Sequence, residues 1–229
     1  MHKTLLAALL AIPFHSVEAR AEGFEGEVDL LEMHVGEGDD HFVFDSTFSL
    51  SGESAGASLK LEGGSDVGPR IDEVTGQLLF TFAPAEGTLL LAGARHDFRE
   101  GADLTHGSLA VMQDIGGGVS AEHFLFLSEK GDLTGSAMVV ASLPLAPTLA
   151  VEPRVTLGWS AQAIAEEETG AGLTDLAVSL RLRHAIGPVL NIYAGAIHER
   201  LTGATRDMAV AKGDRGQVTR AVIGAGLAF

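Results

Sequence analysis

The sequence predicts an all-β protein, a transmembrane up-and-down antiparallel β-barrel of about 12 strands. Alternation of apolar and polar residues at strand length continues through almost the whole chain. Mean hydropathy is +0.23, yet no apolar stretch of about 18 residues follows the first 21 positions. The last segment also forms a single apolar row that ends in an aromatic ring, as a closing barrel strand does: Ala221, Ile223, Ala225, Leu227 and Phe229.

The first 21 residues have the features of a secretory signal peptide. A charged start at Lys3 precedes a short apolar run over 4–14, and cleavage after Ala19 or Ala21 fits the small residues there. The run is too short to span a bilayer as a helix. A buried N-terminal helix is the alternative interpretation. We therefore expect a signal peptide at 1–21 and one barrel domain over 22–229.

Composition narrows the class of protein further. The chain has 229 residues with 29 Gly, no Cys and a formal net charge of -16. A small secreted domain often needs disulfides, whereas a closed barrel has its strand edges hydrogen-bonded. The acidic balance argues against nucleic acid as a partner, because phosphate binding needs Lys and Arg.

The connections between the alternating segments differ in kind. Short joints rich in Gly or Pro, such as 83–87 and 115–118, alternate with longer and more charged joints, such as 162–171 and 201–217. Short periplasmic turns and longer outer loops alternate in this way in outer-membrane barrels. A soluble β-sandwich or barrel is the alternative, but its strands would not place charges opposite the apolar row so often. The pattern therefore indicates the outer membrane of a Gram-negative bacterium.

Charged residues of both signs lie on the rows that we expect to face the lumen. Because an unpaired buried charge is costly, opposite charges there should pair. Two interpretations stay open: a structural plug of ion pairs, or a polar constriction that selects or passes ions. The predicted lumen charges are Arg95, Asp97, Glu122, Glu152, Arg154, Asp175, Arg181, Arg183, Glu199 and Arg220.

Histidine and methionine are the candidate metal ligands. Imidazole and thioether groups suit copper, but at least two must converge. The residues predicted to face inward are His34, His106, Met112 and Met138. They lie on different strands. The alternative interpretation is therefore that the histidines are solvated and the methionines only fill space. Four further histidines fall on apolar rows and are predicted to lie at the lipid interface: His96, His123, His184 and His198.

No catalytic constellation supports an enzyme. Ser108, His106 and Asp114 share one predicted strand, which does not make a triad, and no Gly-x-Ser-x-Gly motif occurs. We predict a protein without enzymatic activity.

A series of short motifs resembles the copper resistance protein B family. Each motif is weak alone, but the series runs in order through the whole mature chain. The motifs are 36–40, 59–63, 92–98 (AGARHDF), 152–154 (EPR), 170–175 (GAGLTD), 180–183 (LRLR), 193–195 (YAG) with 199–200, 203–205, and 218–229.

The resemblance implies an outer-membrane barrel associated with copper tolerance, with copper as the candidate ligand. The implied partners are outer-membrane lipid and lipopolysaccharide, the barrel-assembly machinery and a periplasmic multicopper oxidase. The chain departs from the family in the expected absence of a Met- and His-rich segment before the first strand, and in the less charged row Ser136, Met138, Val140 and Ser142. A small structural barrel or weak cation pore without a copper role is therefore the alternative function.

Overall fold

In the computed structural model, residues 23–52, 55–65, 67–69, 71–99 and 103–229 are described, and in them thirteen strand segments form one antiparallel sheet. The predicted signal peptide at 1–21 lies outside the described residues. The strands are β1 (Gly23–Gly36), β2 (His41–Ser51), β3 (Ala55–Gly64), β4 (Glu73–Ala85), β5 (Thr88–Phe98), β6 (Leu104–Gly116), β7 (Val119–Ser128), β8 (Leu133–Ala141), β9 (Leu143–Ala146), β10 (Leu149–Ser160), β11 (Gly172–Ile186), β12 (Leu190–Leu201) and β13 (Gln217–Ala228).

The sheet closes on itself. Each strand pairs with the next one along the chain, except that β8 and β9 both pair with β10. β1 also pairs with β13, and the β10–β11 pairing completes the ring. Segments β8 and β9 are one crossing strand interrupted at Ser142, whose N–H donates to the carbonyl of Gly118 at 2.7 Å. The closed antiparallel barrel of 12 strands confirms the predicted fold class.

Side chains alternate between the two faces as the sequence predicts. On β11, Leu180 is 54% exposed while its neighbour Arg181 is 2% exposed. Exposed Phe80 and buried Gln77 repeat the pattern on β4. The outer surface is thus a continuous apolar band of a size that soluble monomers rarely expose, and the polar rows line the lumen.

The two ends of the barrel differ. At one end, tight turns join the strands, and three consecutive glycines at 116–118 all have positive φ, between 67° and 90°, which residues with a Cβ rarely adopt. At the other end the connections are longer. The helix α1 (Gly203–Lys212) lies there within the predicted loop 201–217, where alternation had indicated no helix. No helix in the described residues is long and apolar enough to cross a membrane.

A β-bulge in β1 changes which side chains face inward. Val28 pairs with Ser46, but the next pair is Leu30 with Asp45, so Asp29 is an extra residue. The inward row therefore runs over Glu25, Glu27 and Asp29 before the bulge, and continues on even-numbered residues with Glu32 and His34 after it. This shift brings acidic side chains from both halves of β1 into the lumen.

Candidate metal and ion-pairing site in the lumen

The lumen holds two cavities separated by a narrow partition. The outer cavity, towards the long loops, has a volume of 660 Å³, and the inner cavity, towards the short turns, has a volume of 160 Å³. Four side chains line both cavities: Asp45, Lys60, Glu122 and Met138. They therefore form the boundary that an ion must cross to pass through the barrel.

Four charged side chains form a paired cluster beside this partition. Arg154 Nη2 donates to Asp29 Oδ2 at 2.8 Å and to Glu152 Oε1 at 3.0 Å. Arg183 Nη2 donates to Asp29 Oδ1 at 2.8 Å, and Arg183 Nε lies 2.8 Å from Glu152 Oε2. Two cations and two anions thus neutralise one another, and each carboxylate bridges both guanidinium groups.

A second network links β11 to β1 across the lumen. Arg181 holds Glu32 with two hydrogen bonds, Nε to Oε2 at 3.0 Å and Nη2 to Oε1 at 2.7 Å. Glu32 Oε1 also lies 2.6 Å from His34 Nε2. All three side chains are buried, and the chain of contacts orients the His34 ring.

Lys60 is the cation of the partition. Its ammonium group lies 2.8 Å from Asp45 Oδ2 and 2.7 Å from Glu62 Oε1. Gln77 Nε2 donates to the other oxygen of Glu62 at 2.9 Å. By contrast, the side chain of Glu122 makes no hydrogen bond or ion pair with any residue in the described part of the chain.

The remaining predicted lumen charges lie nearer the outer loops. Arg95 Nε donates to Asp97 Oδ1 at 2.7 Å, and the Arg95 guanidinium lies 4.6 Å from the centre of the Phe126 ring. Arg220 donates to Glu199 at 2.7 Å. Asp175 accepts a hydrogen bond from Thr174 at 2.7 Å. The structure thus places all ten predicted charges on inward rows and pairs most of them.

Eight charged residues that line the lumen cavities were not predicted as lumen charges: Glu25, Glu27, Asp29, Glu32, Asp45, Lys60, Glu62 and Glu73. Alternation on β2 and β3 does place Asp45, Lys60 and Glu62 on polar rows, so that signal was present in the sequence. The inward positions of the acidic residues of β1 could not be predicted, because the bulge at Asp29 breaks the period of two. No local pattern marks such a break.

One inner wall of the barrel is apolar. Leu79, Leu91, Ala110, Phe124 and Phe126 form a buried cluster on β4 to β7, and Met112 packs against it. The rings of Phe124 and Phe126 stack with centroids 5.7 Å apart. The lumen is therefore asymmetric, with ion pairs on one side and a water-excluding wall on the other.

Two of the four candidate metal ligands flank Glu122, which lies at the partition. Met112 on β6 pairs directly with Glu122 on β7, and Glu122 pairs directly with Met138 on β8. Side chains at directly opposite positions have Cβ atoms about 4.5–5.5 Å apart. A carboxylate thus stands between two thioethers on one inward row, which we call the Met–Glu–Met row (Met112, Glu122, Met138).

The other two candidates lie elsewhere in the lumen. His106 is buried, with Nδ1 3.7 Å from Asp97 Oδ2, and His34 lies in the network of Arg181. The four predicted residues therefore face inward without converging on one point. Within the described ranges, no group of three or more His, Asp or Glu side chains is placed to hold a metal ion.

The four remaining predicted histidines lie on the outer rows or near their ends. His123 is mid-strand, and there Trp159 Nε1 donates to its Nε2 at 3.1 Å. His96 and His198 each hydrogen-bond to a threonine on the next strand, Thr105 and Thr219. The His123–Trp159 pair explains how an imidazole is accommodated on an apolar face, since its ring nitrogen has a donor.

Ion pairs also link the outer loops over the barrel mouth. Three consecutive acidic residues, Glu166, Glu167 and Glu168, contact three different basic residues, respectively Lys130, Arg99 and Lys212. Arg99 binds Glu167 through two hydrogen bonds of 2.5 and 2.8 Å. This loop clasp (166–168 with its three basic partners) joins four separate connections, including α1.

Comparison with known proteins gives matches over nearly the whole described chain. The family model of copper resistance protein B precursor matches residues 24–229. A copper resistance protein B homolog of Pseudomonas syringae pv. tomato is 25% identical over 94% of this chain and 73% of its own length. Copper resistance protein B of Escherichia coli is 25% identical over 88% of this chain and 68% of its own length.

Among solved structures, the NanC porin superposes with a TM-score of 0.54 at 8% identity, over 90% of this chain and 99% of its own. At this identity the likeness concerns the fold alone. It agrees with the closed barrel derived from the strand pairing.

Proposed function

Since the chain belongs to the copper resistance protein B family and is an outer-membrane β-barrel, we propose that it acts in copper tolerance by binding copper ions inside its lumen. The single observation that carries the proposal is the Met–Glu–Met row at the partition between the two cavities. An ion that moves from one cavity to the other passes Glu122 and Met138.

The chemistry of the row suits cuprous copper. Soft thioether sulfurs are ligands that select Cu(I) over harder cations. The side chain of Glu122 offers oxygen ligands between the two sulfurs and has no other ion pair among the described residues. Met112 also packs against the apolar wall, where little water competes for the ion.

The charge pattern of the lumen supports the same site. Arg154, Arg181 and Arg183 are each paired with carboxylates, so they present little free positive charge to a passing cation. Glu122 lines both cavities without an ion pair of its own. The row therefore offers a cation side chains that are not already used in ion pairs, whereas the cluster does not.

The partners proposed from the sequence follow from the fold and the family. The apolar outer face contacts membrane lipid, and we propose that lipopolysaccharide borders the long-loop end. The Phe229 ring covers Gly26 of β1, and the two residues exchange backbone hydrogen bonds of 2.8 and 2.9 Å. We propose that the barrel-assembly machinery recognises this closing strand. A periplasmic multicopper oxidase is the proposed recipient or donor of the ion. The family match is to a resistance protein, and we propose no enzymatic activity.

A structural barrel or weak cation pore is the second candidate. The observation that favours it is the cross-linked cluster of Asp29, Glu152, Arg154 and Arg183, which narrows the lumen whether or not copper binds. In that case the Met–Glu–Met row fills space only.

The test is copper(I) binding by the folded barrel in detergent, measured by competition with a chromogenic chelator under reducing conditions. We expect the double variant Met112→Leu, Met138→Leu to bind copper(I) more than about tenfold more weakly, because leucine keeps the volume but lacks the thioether. Met33→Leu, on the outer row of β1, is the matched control. Equal binding by the double variant and the control would contradict the proposal, as would unchanged copper tolerance of cells that express it.

A further inference from the structure

Two histidines meet at the outer end of the lumen, away from the Met–Glu–Met row. His34 on β1 and His41 on β2 are directly opposite in the strand register. Their ring centres are 4.5 Å apart, and both side chains line the outer cavity.

The hydrogen bonds of His34 determine which ring nitrogen carries the proton. Glu32 is held as a carboxylate by the two hydrogen bonds of Arg181, so it accepts a hydrogen bond from the N–H of His34 Nε2 at 2.6 Å. In a neutral ring the other nitrogen, Nδ1, then keeps its lone pair. A carboxylate that orients an imidazole in this way is the usual outer partner of a metal-binding histidine.

The lone pair of His34 Nδ1 has no partner. The atom is buried and makes no hydrogen bond within the described part of the chain, and the His34 side chain is only 4% exposed. Buried polar atoms without a partner are uncommon, and each calls for a ligand or another explanation. Here the unpartnered atom belongs to a ring that contacts a second imidazole.

The contacts of His41 also favour a tautomer in which one ring nitrogen keeps its lone pair. His41 Nδ1 lies 3.4 Å from the carbonyl oxygen of Asp39, a weak contact that favours the proton on Nδ1 and leaves Nε2 with its lone pair. The cationic neighbours are neutralised, because Arg181 is paired with Glu32 and Arg220 with Glu199. The adjoining β1–β2 connection adds carboxylates at the mouth: Glu37, Asp39 and Asp40. Acidic groups at an entrance raise the local concentration of cations.

We propose that His34 and His41 form a binding site for a divalent copper ion at the outer mouth. Imidazole nitrogen suits Cu(II), which binds nitrogen donors more strongly than the other first-row divalent ions do. The proposal rests on the proposed function only for the choice of copper as the metal. The site itself differs from the Met–Glu–Met row in ligand type, oxidation state of the ion and position. Glu32 and Arg181 are positioning residues for His34.

The test uses the full mature chain, without a histidine tag, folded in detergent and stripped of metal. Cu²⁺ is titrated, and electron paramagnetic resonance reports the number of coordinating nitrogens. We expect nitrogen coupling in the unaltered barrel. We expect His41→Asn to bind Cu²⁺ about tenfold or more weakly with one nitrogen fewer. His184→Asn, an exposed histidine at the far end of β11, is the matched control and should behave as the unaltered chain.

Because His34 is buried in an ion-pair network, His34→Gln can fail to fold. His41 is half-buried and outside that network, so His41→Asn keeps the test decisive, with heat-modifiable gel mobility as the folding check. Equal Cu²⁺ affinity of His41→Asn and His184→Asn would overturn the proposal, as would a spectrum of the unaltered barrel without nitrogen coupling.

Failure of this proposal is distinguishable from failure of the proposed function. If the double variant Met112→Leu, Met138→Leu no longer binds copper(I) while His41→Asn still binds Cu²⁺, the result supports the Met–Glu–Met row and contradicts the site at the mouth. If the double variant still binds copper(I) while His41→Asn no longer binds Cu²⁺, the result supports the site at the mouth and contradicts the row. Zn²⁺ competition gives a further readout independent of copper tolerance, since Zn²⁺ also takes imidazole ligands but binds more weakly than Cu²⁺.

Discussion

Arg181 and Glu32 are joined by two hydrogen bonds of 3.0 and 2.7 Å across the barrel lumen, 149 positions apart in sequence. Arg181 is 2% exposed and the Glu32 side chain 0%. The pair connects β11 with β1 and orients His34 through the shared carboxylate. A single ion pair therefore connects two strands of the barrel and also orients the ring of His34 at the mouth.

We expect Arg181→Ala to lower the free energy of unfolding by about 3 kcal/mol, because it leaves Glu32 buried without its cation. The double variant Arg181→Leu, Glu32→Leu should recover part of that loss, since no unpaired charge remains. Urea titration of the folded barrel, followed by heat-modifiable mobility, measures both. Arg200→Ala, at an exposed position on β12, is the control. If Arg181→Ala and the control unfold at the same urea concentration, the pair does not brace the barrel.

Leu180 tests the inward–outward register. It is 54% exposed on the outer face, and an arginine near the bilayer midplane of a barrel costs about 2–4 kcal/mol. We expect Leu180→Arg to be destabilised by that amount. Ala177→Arg should cost far less, because Ala177 lines the outer cavity directly opposite Glu199. Equal unfolding midpoints in urea would mean that the faces of β11 are exchanged.

The hydrogen bond between Trp159 and His123 can be followed by fluorescence, because Trp159 is the one tryptophan of the 229 residues. His123→Leu removes the acceptor of the indole N–H on the lipid-facing side, and leaving a donor unpaired where no water can replace the acceptor costs about 1–3 kcal/mol. We expect an emission maximum at shorter wavelength and lower stability. His184→Leu, on the outer row of β11, should change neither. An unshifted spectrum of His123→Leu would show that the bond does not form in the folded barrel.

The loop clasp should open in acid. The hydrogen bonds from Arg99 lower the pKa of Glu167 below its usual range, so the pair stabilises the closed loops above the usual glutamate pKa of about 4.3. That contribution is lost as the pH falls through the lowered value. Since the chain has no Cys, spin labels at cysteines introduced at Asp103 and Ala163 can report the distance between the two loops.

At neutral pH we expect one narrow distance distribution, which broadens in acid. Glu167→Gln should give the broad distribution already at neutral pH, whereas Glu166→Gln should not, because the side chain of Glu166 is largely exposed and its pair with Lys130 is weak in water. A narrow distribution for Glu167→Gln at neutral pH would rule out a clasp that depends on this pair.

The sequence by itself determined the barrel, the strand count and the face on which most side chains lie. Period-two alternation is a local property of a strand. The outward position of Leu180 and the inward position of Arg181 can therefore be predicted from their own strand alone. The same holds for the ten predicted lumen charges and for the inward positions of Met112 and Met138. The connection that contains α1 was predicted as a loop, because a short helix whose surface is mostly exposed has no strong apolar period.

Tertiary structure alone decided which inward side chains meet. The bulge at Asp29 reverses the parity of β1, and it is defined by the pairing with β2 and β13 rather than by any residue pattern. Barrel closure then brings Glu32 to Arg181, and strand register sets Met112, Glu122 and Met138 in one row and His34 opposite His41. Such contacts depend on register and curvature summed around the whole sheet, so they arise only when the barrel is closed.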